Sequence, residues 1–438
     1  MGRIGPLDLP TQPRQGIILA TYDRRDICQN RNSLSASTIL DLLTLGTNLQ
    51  ERKEATRTFG LFGEHSLHLK GDNAQRFDSA IDDLLDSIPS ASDTLSEKTL
   101  IDELIPEIRQ KKIDNSRFTQ VECDSFQQRI SAIPVQKYRV LRTIYGVELP
   151  QVTAPVHIGN FTIYDAKLHL TQIASGLADP SDLYRFKKPS GFLIECAVDA
   201  RDSIKAVELA DALFYRLELI IRFFIGRRTT RFEVGVLNYV GPQLRDHIVI
   251  AGDRAGEGSA WQGALETIPI ADPFFCSPSP PFAKLLSLIT RQNNQLDIHI
   301  VRCAEWTGQA MGDPNAASAF VKAAIALEVL FSPKEKGIIT PSIMSQIAES
   351  CAFLLGDSAD SAREVEREVK RLYGIRSAVV HSGKDSVASS DLNAFIRICR
   401  DIVIVLLSRK ELENIDGLER LAEYFKARKY ASIKASEG

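Results

Sequence analysis

The chain has 438 residues, more than one hydrophobic core accommodates, so several domains are expected. With 44% hydrophobic and 25% charged residues the composition is that of an ordinary globular protein, and without a run of 18 apolar residues no membrane-spanning helix is expected. A formal net charge of -3 excludes a general electrostatic coat on nucleic acid, so any RNA contact must come from a local basic cleft.

The opening residues, Met1-Gly-Arg-Ile-Gly-Pro-Leu-Asp8, lack the apolar core of a signal peptide, and a cytoplasmic location with no membrane partner is expected. Residues 1–150 read as a mainly helical N-terminal region. Within it Gln15 to Tyr22 is predicted as a strand and Ser33 to Leu43 as a helix. Thr58 to Leu69 looks extended, and helical periodicity follows around 74–88, 95–112 and 119–145. Asp82, Asp83 and Asp86 mark a solvated face. Residues 151–270 read as an α+β domain, a candidate sensor. Its predicted strands are Val156–Tyr164, Gly191–Val198 and Arg231–Tyr239, and its long apolar helix runs from Asp202 to Ile225. Arg222, Arg227, Arg228 and Arg231 form a basic cluster beside Phe223 and Phe224. Arg227 and Arg228 are candidate RNA contacts; a solvated helix end explains the cluster equally well.

Four prolines between Ala271 and Phe282 mark a boundary, because proline fits neither a helix interior nor a central strand. Beyond it the pattern is helical, near 283–308, 315–331, 340–355, 361–381, 389–409 and 414–430. Residues 283–438 should therefore form an all-α bundle. The fold class expected is multidomain, an α+β N-terminal region followed by an all-α helix bundle.

The seven cysteines (Cys28, Cys123, Cys196, Cys276, Cys303, Cys351 and Cys399) are scattered with no CxxC pair, which argues for reduced thiols over a disulfide framework or a zinc site. His65 and His68 would point to opposite faces of a strand, so they form no metal site. Neither GxGxxG nor GxxxxGK[ST] occurs, and no cofactor is expected.

The richest chemistry lies in Arg371-Leu-Tyr-Gly-Ile-Arg376-Ser-Ala-Val-Val-His381-Ser-Gly383. Arginine binds phosphate through a planar fork of donors, and histidine exchanges protons near neutral pH. Together they suffice for RNA cleavage without a metal. Leu372, Ile375 and Val379 share one helix face that should enter the core, while Tyr373, Ser377 and His381 form another stripe. In an unbroken helix Arg376 and His381 point about 140° apart. They meet if the helix frays near His381, where Gly383 offers a stop, or if a second subunit closes the site. Glu328, set among apolar neighbours, calls for a cationic partner, and a structural ion pair with Arg376 is a fair reading.

The segment Ala323-Ala-Ile-Ala-Leu-Glu-Val-Leu-Phe331, then a helix from Ser342 to Leu355, then Leu372–Gly383 and Leu392–Leu407, resembles the Apea-like branch of the HEPN superfamily. That branch carries "ALExL" and "LYxxRSxxVHxG" in this order. The resemblance covers about residues 300–410. It implies a four-helix core that dimerises and brings the R-x4-6-H residues of both subunits into one cleft. Many such proteins are metal-independent endoribonucleases in phage defence or toxin–antitoxin pairs; others are inactive scaffolds or nucleotide binders. By position Arg376 and His381 match the catalytic pair. Ser377 stands where many active members carry Asn, Asp or His, and it could bind phosphate or orient His381. Tyr373 either stacks on a base or packs, and Lys384 lies next to the motif as a further candidate RNA contact. The expectation is an RNA-cleaving homodimer held in check by its N-terminal region and released by a phage-derived or protein trigger.

Overall fold

Pro134 ends a first run of helices, and the chain changes character there. The computed structural model describes residues 57–59, 67–69, 72–149, 154–177, 191–225, 233–251, 254–263, 266–271, 273–331, 343–383 and 386–435. It divides into two units, Met1–Pro134 and Val135–Gly438.

In the first unit a short hairpin, β1 (Arg57–Phe59) and β2 (Leu67–Leu69), precedes helices α1 (Asp72–Ser87), α2 (Ala91–Thr94), α3 (Glu97–Ile113) and α4 (Gln120–Ser131). Phe77, Ile81, Leu84, Leu100, Leu104, Ile108 and Phe126 close around one another as its core. Of the face expected to be solvated, Asp82 and Asp86 are exposed and Asp83 is half-buried. The predicted strand at 15–22 and helix at 33–43 lie outside the described residues.

The helix expected over 119–145 stops at Ala132, and Gln136–Ile144 is strand β3. Pro134 cannot donate to a helix, and the Tyr138, Val140, Thr143 and Ile144 that follow favour a pleated surface. In the second unit β3 pairs in full register with β7 (Phe192–Ala200) inside an antiparallel sheet ordered β3-β7-β6-β5. The single strand expected at 156–164 is two, β5 (Val156–Ile158) and β6 (Phe161–Asp165), folded back at Gly159, whose φ of 56° favours glycine. Between β3 and β5 lies β4 (Val147–Glu148), and helix α5 (Leu170–Ile173) follows β6. Helix α6 (Ser203–Ile225) lays Ala206, Ala210, Phe214 and Leu217 into the same core as Ile194, Cys196 and Val198 of β7.

The strand expected at 231–239 is absent from the described part of that stretch. Gly235 makes only an isolated bridge to Tyr145, and the loop is instead gripped by the fully buried Glu218, which accepts from the backbone N–H of Val236, Leu237 (2.7 Å) and Asn238 (3.4 Å). After it comes a long hairpin that periodicity missed, β8 (Gln243–Ala251) and β9 (Arg254–Gln262), and then β10 (Ile268–Pro269), which pairs with β4.

The proline-rich stretch holds helix α7 (Pro273–Cys276) and the start of α8 (Pro280–Thr290). The helix expected over 283–308 is broken in two, because Asn294 caps α9 (Gln295–Gly312) by accepting from the Asp297 N–H at 2.8 Å. Helices α10 (Ala316–Phe331), α11 (Ile343–Leu355), α12 (Ala359–Ser382), α13 (Ser389–Ser408) and α14 (Leu418–Ala435) complete the chain. The architecture is thus α+β followed by helices.

Against the expected parts 1–150, 151–270 and 283–438, the contacts divide the chain once, after Pro134. One continuous core runs from Ile144 through Phe214 and Leu285 to Phe425, so the sheet and the helices after it share a single interior. Two contacts show why. Gly308 of α9 lies against the backbone of α6, where a Cβ would sit 2.2 Å from the Leu219 carbonyl oxygen. From α13, Arg400 donates to the Phe223 carbonyl at 2.9 Å and stacks on the Phe223 ring at 5.6 Å, capping the last turn of α6.

Candidate functional site

Helix α12 carries the motif, and its ends are well defined. Ser358 and Ser361 bond reciprocally at its start. At its end Gly383 adopts the left-handed conformation (φ 64°, ψ 29°) and donates to the Ala378 carbonyl. Val369, Leu372 and Tyr373 face the core. The helix runs unbroken through His381 to Ser382, so the frayed end that would let Arg376 and His381 meet within one chain does not occur. Five residues of helix separate them by about 7.5 Å along the axis and about 140° around it.

Arg376 lies at the edge of the buried face. Its Nη2 is 3.3 Å from Glu328 Oε1 on α10, and both side chains are 27% exposed. The ion pair expected from the sequence is therefore present. It leaves the Arg376 Nε buried and without a hydrogen-bond partner among the described residues. Ser377 and His381 are exposed, and so are Gly374 and Val380 on the same side of the helix. A Cβ at Gly374 would meet nothing within 4 Å. The last two turns of α12 thus offer an open surface of small and apolar side chains with His381 at its end, while the guanidinium lies toward the buried side.

Tyr373 is 6% exposed; its hydroxyl donates to the Ala324 carbonyl at 3.2 Å and its ring meets Phe395 edge-on at 5.7 Å. It packs, and base stacking is ruled out for it in this structure. Burial first, and the nearby Glu328 charge second, push its phenol well above the usual range. Leu372 enters the core as expected, whereas Ile375 and Val379 remain half-buried. Arg371 is occupied by Glu368 (2.8 Å) and by Asp391 at the start of α13 (2.8 Å). Lys384, Arg227 and Arg228 lie outside the described residues.

A groove of about 550 Å³ opens between α12 and α13, lined by Val365, Glu368, Arg397, Ile398 and Asp401 among others. Neither Arg376, Ser377 nor His381 lines it. Burial raises the Asp401 carboxyl above its ordinary range. Burial holds the thiols of Cys303 and Cys351 well above the ordinary value and pushes those of Cys196 and Cys399 up to about 12, so these four are not activated nucleophiles. Cys399 donates to the Ala323 carbonyl at 3.3 Å. Among the described residues no group of three His, Cys, Asp or Glu side chains is placed to hold a metal ion, and no helix is long and apolar enough to cross a membrane.

What the residues bring together is an oriented guanidinium, a solvent-facing imidazole and an open helix face. One copy cannot aim Arg376 and His381 at the same atom. Comparison with protein-family models, with curated proteins and with solved structures finds no match.

Proposed function

We propose that the chain is a HEPN-type, metal-independent endoribonuclease whose active site is assembled from two copies. The observation that carries this reading is the Arg376–Glu328 pair. It holds a guanidinium in place at the edge of the buried face, on a helix whose exposed histidine lies near an end that is open to a second copy. Two α12 helices packed across a two-fold axis along Gly374, Ser377 and Val380 would set the imidazole of each copy near the guanidinium of the other.

In that arrangement Arg376 binds the non-bridging oxygens of the scissile phosphate and stabilises the charge that grows on them. One His381 takes the proton from the ribose 2'-hydroxyl as its oxygen attacks phosphorus. The other His381, protonated, gives a proton to the departing 5'-oxygen. The products are a 2',3'-cyclic phosphate and a 5'-hydroxyl, with no net change in protons. Ser377, one turn before His381, hydrogen-bonds the phosphate or orients the imidazole. An N-terminal region that restrains the enzyme until a phage-derived or protein trigger appears fits the length of chain before α10.

A second reading, a silent dimeric scaffold, draws on the same ion pair, because Glu328 already neutralises part of the Arg376 charge. The experiment that separates them is incubation of the full chain with mixed RNA in EDTA, beside Arg376→Ala and His381→Ala. Cleavage by the parent alone, ending in cyclic phosphate, supports the enzyme. Cleavage that needs a divalent metal, or that survives both substitutions, overturns the mechanism. Mixing the two single variants adds a specific test. Heterodimers carry one intact arginine and one intact histidine but lack the second His381 that the mechanism uses, so a small fraction of the parent rate is expected to return, and only from a shared site.

A further inference from the structure

The β8–β9 ribbon is the most exposed apolar element among the described residues, and no part of the proposed chemistry uses it. Its nine residue pairs run from Gln243↔Gln262 to Ala251↔Arg254, about 30 Å of two-stranded ladder. Residues 242–250 are all exposed. Two-stranded ribbons are marginal in water by themselves, so this one gains stability from whatever covers it.

Register separates its two faces. Pairs Leu244↔Trp261, Asp246↔Ser259, Ile248↔Glu257 and Ile250↔Ala255 share one face. Leu244 is 54% exposed, Trp261 57%, Ile248 72% and Ile250 73%. On the other face the His247 ring lies over Gly258, and Gly256 leaves Val249 without a cross-strand side chain. The first face is therefore an apolar strip. Its only charged groups are Asp246, which accepts from the Ser259 hydroxyl at 2.6 Å, and Glu257.

That charge pattern selects the occupant. Arg245 and Arg254 fall on the other face by register, so on this face the two carboxylates stand without a cation and repel nucleic acid and anionic lipid. A second copy laid on the same face would bring four carboxylates together. A polypeptide with apolar side chains flanked by lysine or arginine satisfies both the apolar strip and the charges. We propose that this face of the β8–β9 ribbon docks a cationic, amphipathic segment of a protein partner. The proposal is independent of the ribonuclease reading.

The test uses the full chain carrying Trp306→Phe, which leaves Trp261 as the sole indole. The probe is a peptide of about 15 residues with leucines on one helical face and lysines on the other. Matched peptides replace lysine by glutamate or leucine by serine. A saturable blue shift of Trp261 emission is expected with the Lys/Leu peptide only. Ile248→Ser/Ile250→Ser and, separately, Asp246→Lys/Glu257→Lys should each weaken it about tenfold or more. The second pair keeps the apolar strip and so guards against misfolding of the first. Failure to bind, equal binding of the glutamate peptide, or binding that ignores both double variants overturns the proposal. Self-association of the free chain that Ile248→Ser/Ile250→Ser abolishes also overturns it, by placing a second copy on the face.

Discussion

Removal of Glu328 tests the site at its anchor. The Arg376–Glu328 pair is 3.3 Å apart with both side chains 27% exposed, between the fully buried and the fully solvated cases. At an effective dielectric of about 20 the gross attraction at that distance is about 5 kcal/mol. Desolvation and lost side-chain freedom oppose it, and exposed pairs retain only about 0.2–1 kcal/mol. A double-mutant cycle of Glu328→Ala and Arg376→Ala, read by urea unfolding, should therefore give a coupling of about 1 kcal/mol. The functional consequence is larger. Without the carboxylate the guanidinium is no longer fixed beside the open face, and a displacement of about 1 Å can cost about 100-fold in rate. Glu328→Ala should cleave RNA about 100-fold more slowly at saturating RNA, while Glu328→Gln, which keeps an acceptor, loses much less. A coupling indistinguishable from zero would refute the geometry. Faster cleavage by Glu328→Ala would show that the carboxylate restrains Arg376 instead of positioning it.

Other substitutions probe the frame. Gly308→Ala places a Cβ 2.2 Å from the Leu219 carbonyl oxygen, where only backbone can yield, and should cost about 1–3 kcal/mol or more in urea unfolding. Tyr373→Phe loses the bond to the Ala324 carbonyl, about 1 kcal/mol, and should leave cleavage near the parent rate because the ring is core. Its phenol is raised in the folded state, so folding is favoured below the unfolded phenol value of about 10 and that contribution fades as pH climbs beyond it. The parent should lose stability above about pH 10 more steeply than Tyr373→Phe, as followed by circular dichroism. Cys196, Cys303, Cys351 and Cys399 stay protonated and buried, so mass spectrometry after a thiol reagent at pH 8 should find them unmodified in the native chain and modified in denaturant.

Much of the helical half could be read from the sequence because its signals are local. Apolar spacing locates α10 to α13, and Gly383 announces the end of α12. The Glu328–Arg376 pair follows from the cost of leaving a carboxylate among leucines unpaired. Elsewhere local pattern was the wrong guide. Residues 136–144 carry period-3.6 matches by chance, and only Pro134 and the β-branched run betray the strand. The β8–β9 ribbon is hard to see by period although Leu244, Asp246, Ile248 and Ile250 alternate. Val249 between two isoleucines blurred the period, and the Gly-Asp dipeptide at 252–253 was the available turn signal. Glu218 looks like any other polar position on a long apolar helix. Its role appears only when the 236–238 backbone arrives from another element to meet it.

The shared core constrains how the proposed enzyme can be controlled. A sensor on a flexible tether could act by swinging away, but Val135–Gly438 is one unit and its sheet and helices have no such seam. Arg400 joins the end of α6 to α13, Asp391 at the head of α13 holds Arg371 of α12, and Arg371 precedes Arg376 by little more than one turn. A shift of α6 against the helices after it would thus reach the motif through packed and charged contacts. Arg400→Ala tests this path at a distance from the RNA. It removes the guanidinium that caps the Phe223 carbonyl while leaving Arg376, Ser377 and His381 in place. An altered cleavage rate with an unchanged dimer supports transmission through α13. An unchanged rate, with only stability reduced, would assign Arg400 to the frame alone.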